Sequence, residues 1–129
     1  MINRSALVIA CWLLLCSVNV DAQTTTAARP QFVYILRVLP SFHTAQAWSD
    51  KENAAVGKHF ERLAQATAQG QVILAGRTKE ALAQTFGIVI FEADNEQLAR
   101  QFMEADPAVV AGLMSATLHP YAVALQRKP

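Results

Sequence analysis

Two hydrophobic periods alternate along this chain. "FVYILRVL" (Phe32 to Leu39) is a β-branched and aromatic run that predicts a first strand, ended by Pro40. "SFHTAQAW" after it predicts a loop. Ser49, with Glu52 three residues on, makes a capping box and opens a helix that runs to about Gln69, where Gly70 stops it. Spacing by three and four gives that helix an apolar stripe of Val56, Phe60, Leu63, Ala64 and Thr67, with Lys58, Glu61, Arg62 and Gln65 on the wet side. His59 falls at the border between the two. "QVILAGR" (Gln71 to Arg77) predicts a second strand, and "TKEALAQT" a turn. "FGIVIFEA" (Phe86 to Ala93) predicts a third strand, apolar on both faces and therefore central.

Asp94, with Gln97 in the box position, predicts the start of a second helix that buries Leu98, Phe102 and Met103. Asp106-Pro107 then opens a short helical turn through Gly112. "LHPYAVAL" (Leu118 to Leu125) predicts a fourth strand, in which Pro120 suits a sheet edge because proline donates no ladder hydrogen bond. The resulting order, βαββαβ, is the ferredoxin-like split βαβ of the α+β class: one antiparallel sheet with two helices on one face. The predicted domain covers residues 32–126. Strand three is apolar on its outer side too, so a second subunit is the economical cover, and a homodimer with sheets face to face is expected.

Composition changes this picture mainly at the N-terminus. Arg4 followed by "ALVIACWLLLCSVNV" and the small residues near Ala22 reads as a secretory signal peptide over residues 1–22, cleaved near Ala22. The expected location is periplasmic or secreted, with no membrane attachment after cleavage. "QTTTAARP" gives a polar linker over residues 23–31. Both cysteines, Cys11 and Cys16, lie within the leader, so disulfides, thiolate nucleophiles and cysteine metal sites are excluded from the mature domain. The roughly 105 residues after the leader are enough to bury a core without staples. The formal net charge is +1 and the basic residues are scattered, which argues against nucleic acid as a partner.

The stretch from His59 onward resembles the YciI-like (YCII-related) family. The features that carry the resemblance are a helix histidine (His59), a glycine ending the helix (Gly70) and a strand finishing in Ala75-Gly76. Ala105-Asp106-Pro107 after the second helix and His119-Pro120-Tyr121 in the last strand add to it. Together they span about Phe32 to Leu125. The resemblance implies a dimeric α+β barrel with a His/Asp active site, and its enzymatic precedent is the elimination of chloride from a chlorinated hydroxyquinol.

His59 and Asp106 are the catalytic candidates. An ordinary imidazole changes charge near neutral pH, which suits a general acid or base; the bland alternative is a surface histidine covering the stripe edge. Asp106 suits a helix cap, which needs only one carboxylate oxygen, and the second oxygen is free to orient an imidazole. Arg77 follows the glycine of Ala75-Gly76 and can clamp a carboxylate or phenolate, or simply be a solvated strand end. Phe42, with His43, lies in the loop after strand one, where small-molecule sites are often built. His119 reads as a strand-entry residue, and Trp48 and Tyr121 as core. No HExxH, P-loop, GxGxxG or GxSxG pattern is present, so no metal and no cofactor is expected. The expected function is that of a cofactor-free lyase or isomerase acting on a small, hydroxylated cyclic molecule. The alternatives are a binding module that holds such a ligand without turnover, and haem or porphyrin handling of the kind related dimeric barrels perform.

Overall fold

The computed structural model describes residues 28–127; the predicted signal peptide and most of the predicted linker lie outside them. Four strands form one antiparallel sheet in the order β2-β3-β1-β4: β1 (Gln31–Val38), β2 (Val72–Arg77), β3 (Phe86–Glu92) and β4 (Met114–Tyr121). The helices are α1 (Asp50–Ala68), α2 (Glu96–Glu104) and the single turn α3 (Pro107–Val110). This is the ferredoxin-like α+β arrangement. Proline sits on an edge strand, as expected, with Pro120 opposite Phe32.

Period-two alternation decides which sheet face is covered. Phe32, Tyr34, Leu36 and Val38 of β1 and Val89 and Phe91 of β3 are buried beneath the helices. Phe91 is the hub: its ring stacks on Phe102 at 4.8 Å and meets Tyr34 edge-on at 5.6 Å. A fully buried aromatic of this kind contributes about 1.5–3 kcal/mol by burial alone. The alternate residues, Val33, Ile35, Ile88 and Ile90, are only half-buried on the opposite face.

Several local expectations are corrected. The buried stripe of α1 is turned by about one residue: Leu63 and Ala66 are buried, Val56, His59 and Arg62 are half-buried, and Ala64 and Thr67 are exposed. Phe60 is 71% exposed. A count of apolar residues turned Phe60 inward, whereas a buried carboxylate beneath the helix needs a donor and turns His59 toward the core. In α2 the buried pair is Ala99 and Met103, while Leu98 is exposed. Its cap is Asn95, whose side chain accepts from the Leu98 amide. Asp94 instead binds Arg29 at 2.9 Å, and Pro30 O accepts from Ala93 N, so the end of the presumed linker is tied to the β3–α2 junction. Strand four begins four residues early: Gly112 (φ +69°) ends α3, and Met114, Ala116 and Leu118 then turn toward the helices. It ends at Tyr121, which is exposed rather than core. Residues 122–127 are not strand. Val123 N donates to the Gln31 side chain, and residues 121–126 line a cleft together with Ile73, Leu74 and Ile90. Trp48 is also outside the core; it packs on Phe42 in the β1–α1 loop.

Candidate functional site

Asp106 is the most buried charged group among the described residues, with no solvent exposure. Its position follows from local chemistry. Pro107 fixes the first residue of α3, and Asp106 caps that turn by accepting from the Ala108 amide at 2.9 Å. A buried carboxylate needs more than one donor, and two other elements supply them. His59 Nδ1 of α1 lies 2.8 Å from both carboxylate oxygens. The Tyr34 hydroxyl of β1 donates to Oδ2 at 2.8 Å. Three segments distant in sequence thus converge on one carboxylate.

Electrostatics reinforce this geometry. Burial pulls the Asp106 carboxyl upward, but the hydrogen bond and charge of His59, with the bonds from Tyr34 and Ala108, outweigh it. The group is held below its usual range and stays ionised at neutral pH. Tyr34 moves the other way: burial first, then the charge and hydrogen bond of Asp106, push its phenol far up, against a weaker opposing pull from Arg62. The phenol therefore remains a donor. A raised folded-state value means that its stabilising contribution is intact below the ordinary tyrosine value of 10.0 and is lost as pH rises above it. In a Tyr121→Phe variant all phenolate absorbance belongs to Tyr34. It is expected to appear only together with loss of the far-UV circular dichroism, and a phenolate signal from folded protein would contradict the hydrogen bond.

With Nδ1–H donating to a carboxylate, the neutral His59 ring carries its lone pair on Nε2. Nε2 has no hydrogen-bond partner among the described residues, and the side chain is 17% exposed. The ring is thus anchored at one nitrogen and open at the other. Arg62, one turn further along α1, lies with Cζ 4.1 Å over the Phe102 ring and donates from Nη2 to Phe102 O at 2.8 Å. Its Nη1 is buried without a partner.

The four sequence candidates divide in two. His59 and Asp106 share a hydrogen bond. Arg77 is exposed at the end of β2 and makes no ion pair among the described residues. Phe42 packs edge-on against Trp48 at 6.2 Å, and its carbonyl accepts from the Trp48 indole; it shares no hydrogen bond with the pair. His43 binds the Val38 carbonyl, and His119 is exposed on the open face of β4. Tyr34 was missed, and so was Arg62, which was assigned to the wet side. The signal for Tyr34 was available: a lone tyrosine among the inward positions of a core strand has a hydroxyl that must find an acceptor. No group of three His, Cys, Asp or Glu side chains among the described residues could hold a metal ion, and no helix among them is long and apolar enough to cross a membrane.

The chain as a whole matches a known family. The model of the YCII-related domain matches residues 21–118, and the chain belongs to that family. Among solved structures, the chain is similar to 5-chloro-2-hydroxyhydroquinone dehydrochlorinase (TftG) from Burkholderia phenoliruptrix AC1100, in complex with 2,5-dihydroxybenzoquinone. The two share 17% identity at a TM-score of 0.49, over 71% of this chain and 93% of that one. No curated protein matches the chain.

Proposed function

We propose that this YCII-domain protein is an acid–base enzyme, a lyase or isomerase, that works with its own side chains on a small, hydroxylated cyclic molecule. The observation that carries the reading is the fully buried Asp106 carboxylate held against His59 Nδ1. Nε2 of His59 removes a proton from an acidic C–H or O–H of the ligand. Asp106 stabilises the imidazolium that forms, and Tyr34 and the Ala108 amide keep Asp106 ionised and in place. The imidazolium then returns the proton to a neighbouring atom or to a leaving group. Such general acid–base assistance supplies roughly 10²–10⁴-fold in rate.

The test reads the His59 tautomer by long-range 1H–15N correlation in the wild type and in Asp106→Asn. Expected is the Nδ1–H tautomer in the wild type and a shift toward Nε2–H in the variant. An Nε2–H ring in the wild type, unchanged in the variant, would leave Asp106 as only a helix cap and favour a ligand-binding module.

The same proposal includes a homodimer and export from the cytoplasm. The dimer reading is supported by Val33, Ile35, Ile88 and Ile90, four half-buried aliphatic side chains on the face that carries no helix. Ile35→Lys places a charge in their midst. On a face covered by a second subunit, one unpaired buried charge costs roughly 3–5 kcal/mol, and sedimentation is expected to show dissociation to monomers. On a solvated face the change stays within about 0.5 kcal/mol, and the association state does not move. Export rests on the leader-like residues 1–22, and the mass of protein recovered from outside the cytoplasm checks cleavage near Ala22.

A further inference from the structure

A groove of about 450 Å³ lies between α1 and α3. Its walls are small and apolar, with Ala54 and Ala55 from α1, and Pro107, Ala111 and Leu113 on the side of α3. The space exists because alanines stand where larger side chains would fill the seam between two packed helices. Val110, also lining it, is 72% exposed, a large aliphatic surface left in water at the groove.

Two cations line the same groove. Lys51 and Lys58 are seven residues apart on α1, so both project from one flank of the helix, two turns apart. Neither has a carboxylate within ion-pair distance among the described residues. Glu52 lines the groove as well, its carboxylate accepting from the amide and hydroxyl of Ser49 in the helix cap. An apolar slot lined by two ammonium groups without ion pairs and by one carboxylate held in a helix cap carries a net positive charge, which is complementary to an anion with an apolar body. His59 and Asp106 do not line the groove; Ala55, one turn before His59 on α1, and Ala105 and Pro107, on either side of Asp106 in the chain, do.

We propose that this groove binds a small organic anion, an apolar ring bearing a carboxylate or phenolate, with Lys51 and Lys58 holding the charge and the alanine-lined seam holding the ring. The inference goes beyond the proposed function by naming a seat for an organic anion between the two helical elements that carry His59 and Asp106. It is tested by binding rather than turnover, so the groove and the His59 chemistry stand or fall separately.

The probe is salicylate, with benzamide as the neutral ring of similar size, titrated into the purified protein by NMR. Expected are saturable shifts at the methyl groups of Ala54, Ala55, Val110 and Ala111, with benzamide binding roughly tenfold more weakly or worse. The Lys51→Gln/Lys58→Gln variant, at exposed positions that leave the fold intact, is expected to lose about tenfold for salicylate at low salt and nothing for benzamide. Raising the salt concentration should erode the wild-type preference. His59→Gln should bind salicylate nearly as the wild type does. Equal affinity for the two probes, shifts confined to the open sheet face, or a lysine variant that binds salicylate normally would each overturn the proposal.

Discussion

Replacing Asp106 by alanine is expected to destabilise the protein by about 3–5 kcal/mol, the range for breaking a buried ion pair from one side. The substitution removes the acceptor for three donors at once: His59 Nδ1, the Tyr34 hydroxyl and the Ala108 amide. The Tyr34 side chain is completely buried, so its hydroxyl has no water to turn to. For a domain of this size the loss corresponds to a fall in Tm on the order of 15–30 °C. Asp106→Asn keeps the volume and one oxygen, which His59 Nδ1 shares with either the Tyr34 hydroxyl or the Ala108 amide, and should cost less because only one of those two donors loses its acceptor. Equilibrium urea unfolding of the three proteins checks the order wild type, Asn, Ala. An alanine variant within about 1 kcal/mol of the wild type would mean that the network contributes nothing to the fold.

The same pair of proteins gives a pH dependence with a definite sign. Asp106 is held below its ordinary value of 3.8 in the folded chain. A depressed carboxylate contributes its stability above the unfolded-state value and loses it as pH falls through the folded one. The stability advantage of the wild type over Asp106→Asn should therefore shrink in acid, starting near pH 4. An advantage that grew as the pH fell below 3.8 would contradict an ionised, hydrogen-bonded Asp106.

Strong local chemistry was legible in the sequence, and choices between near-equal neighbours were not. The Ser49–Glu52 capping box, the Asp106-Pro107 helix start and the β-branched and aromatic run of β1 each rest on a single dominant rule, and each stands in the structure. Asp94 and Asn95 are comparable caps by composition; what separates them is Arg29, 65 residues from Asp94 in the chain, which binds the aspartate and leaves the asparagine for the helix. The facing of α1 was misjudged for a related reason. Helical periodicity weighs Phe60 above His59, and only the partner 47 residues away explains why the histidine turns inward. β4 was placed late because "MSAT" alternates weakly, and its pairing with β1 is what makes it a strand. The candidate site follows the same division. His59 and Asp106 were singled out from the family resemblance and from their residue types. Tyr34 emerged only when the strand's inward face met the carboxylate.

His59→Gln is expected to lower kcat/KM by roughly 10²–10⁴-fold on whichever hydroxylated ring compound the wild type turns over. Glutamine is the informative replacement. Its amide N–H can still donate to Asp106, so the buried carboxylate keeps a partner and the fold is spared the cost of an unpaired charge. What it lacks is a basic ring nitrogen that can accept a proton from the ligand. A structural role for His59 is therefore met by glutamine, and a proton-transfer role is not. Tyr34→Phe separates the two contributions from the other side. It removes one donor to Asp106 without touching the ring nitrogens, so its effect on turnover should be smaller than that of His59→Gln, while its effect on stability should be larger. Parallel measurement of kcat/KM and urea midpoints for the two variants checks this crossing. If His59→Gln keeps activity within about threefold, the proton is moved by another group and His59 serves only to pair the buried carboxylate. If both variants lose activity in proportion to their stability, the network is a folding device and the acid–base reading fails.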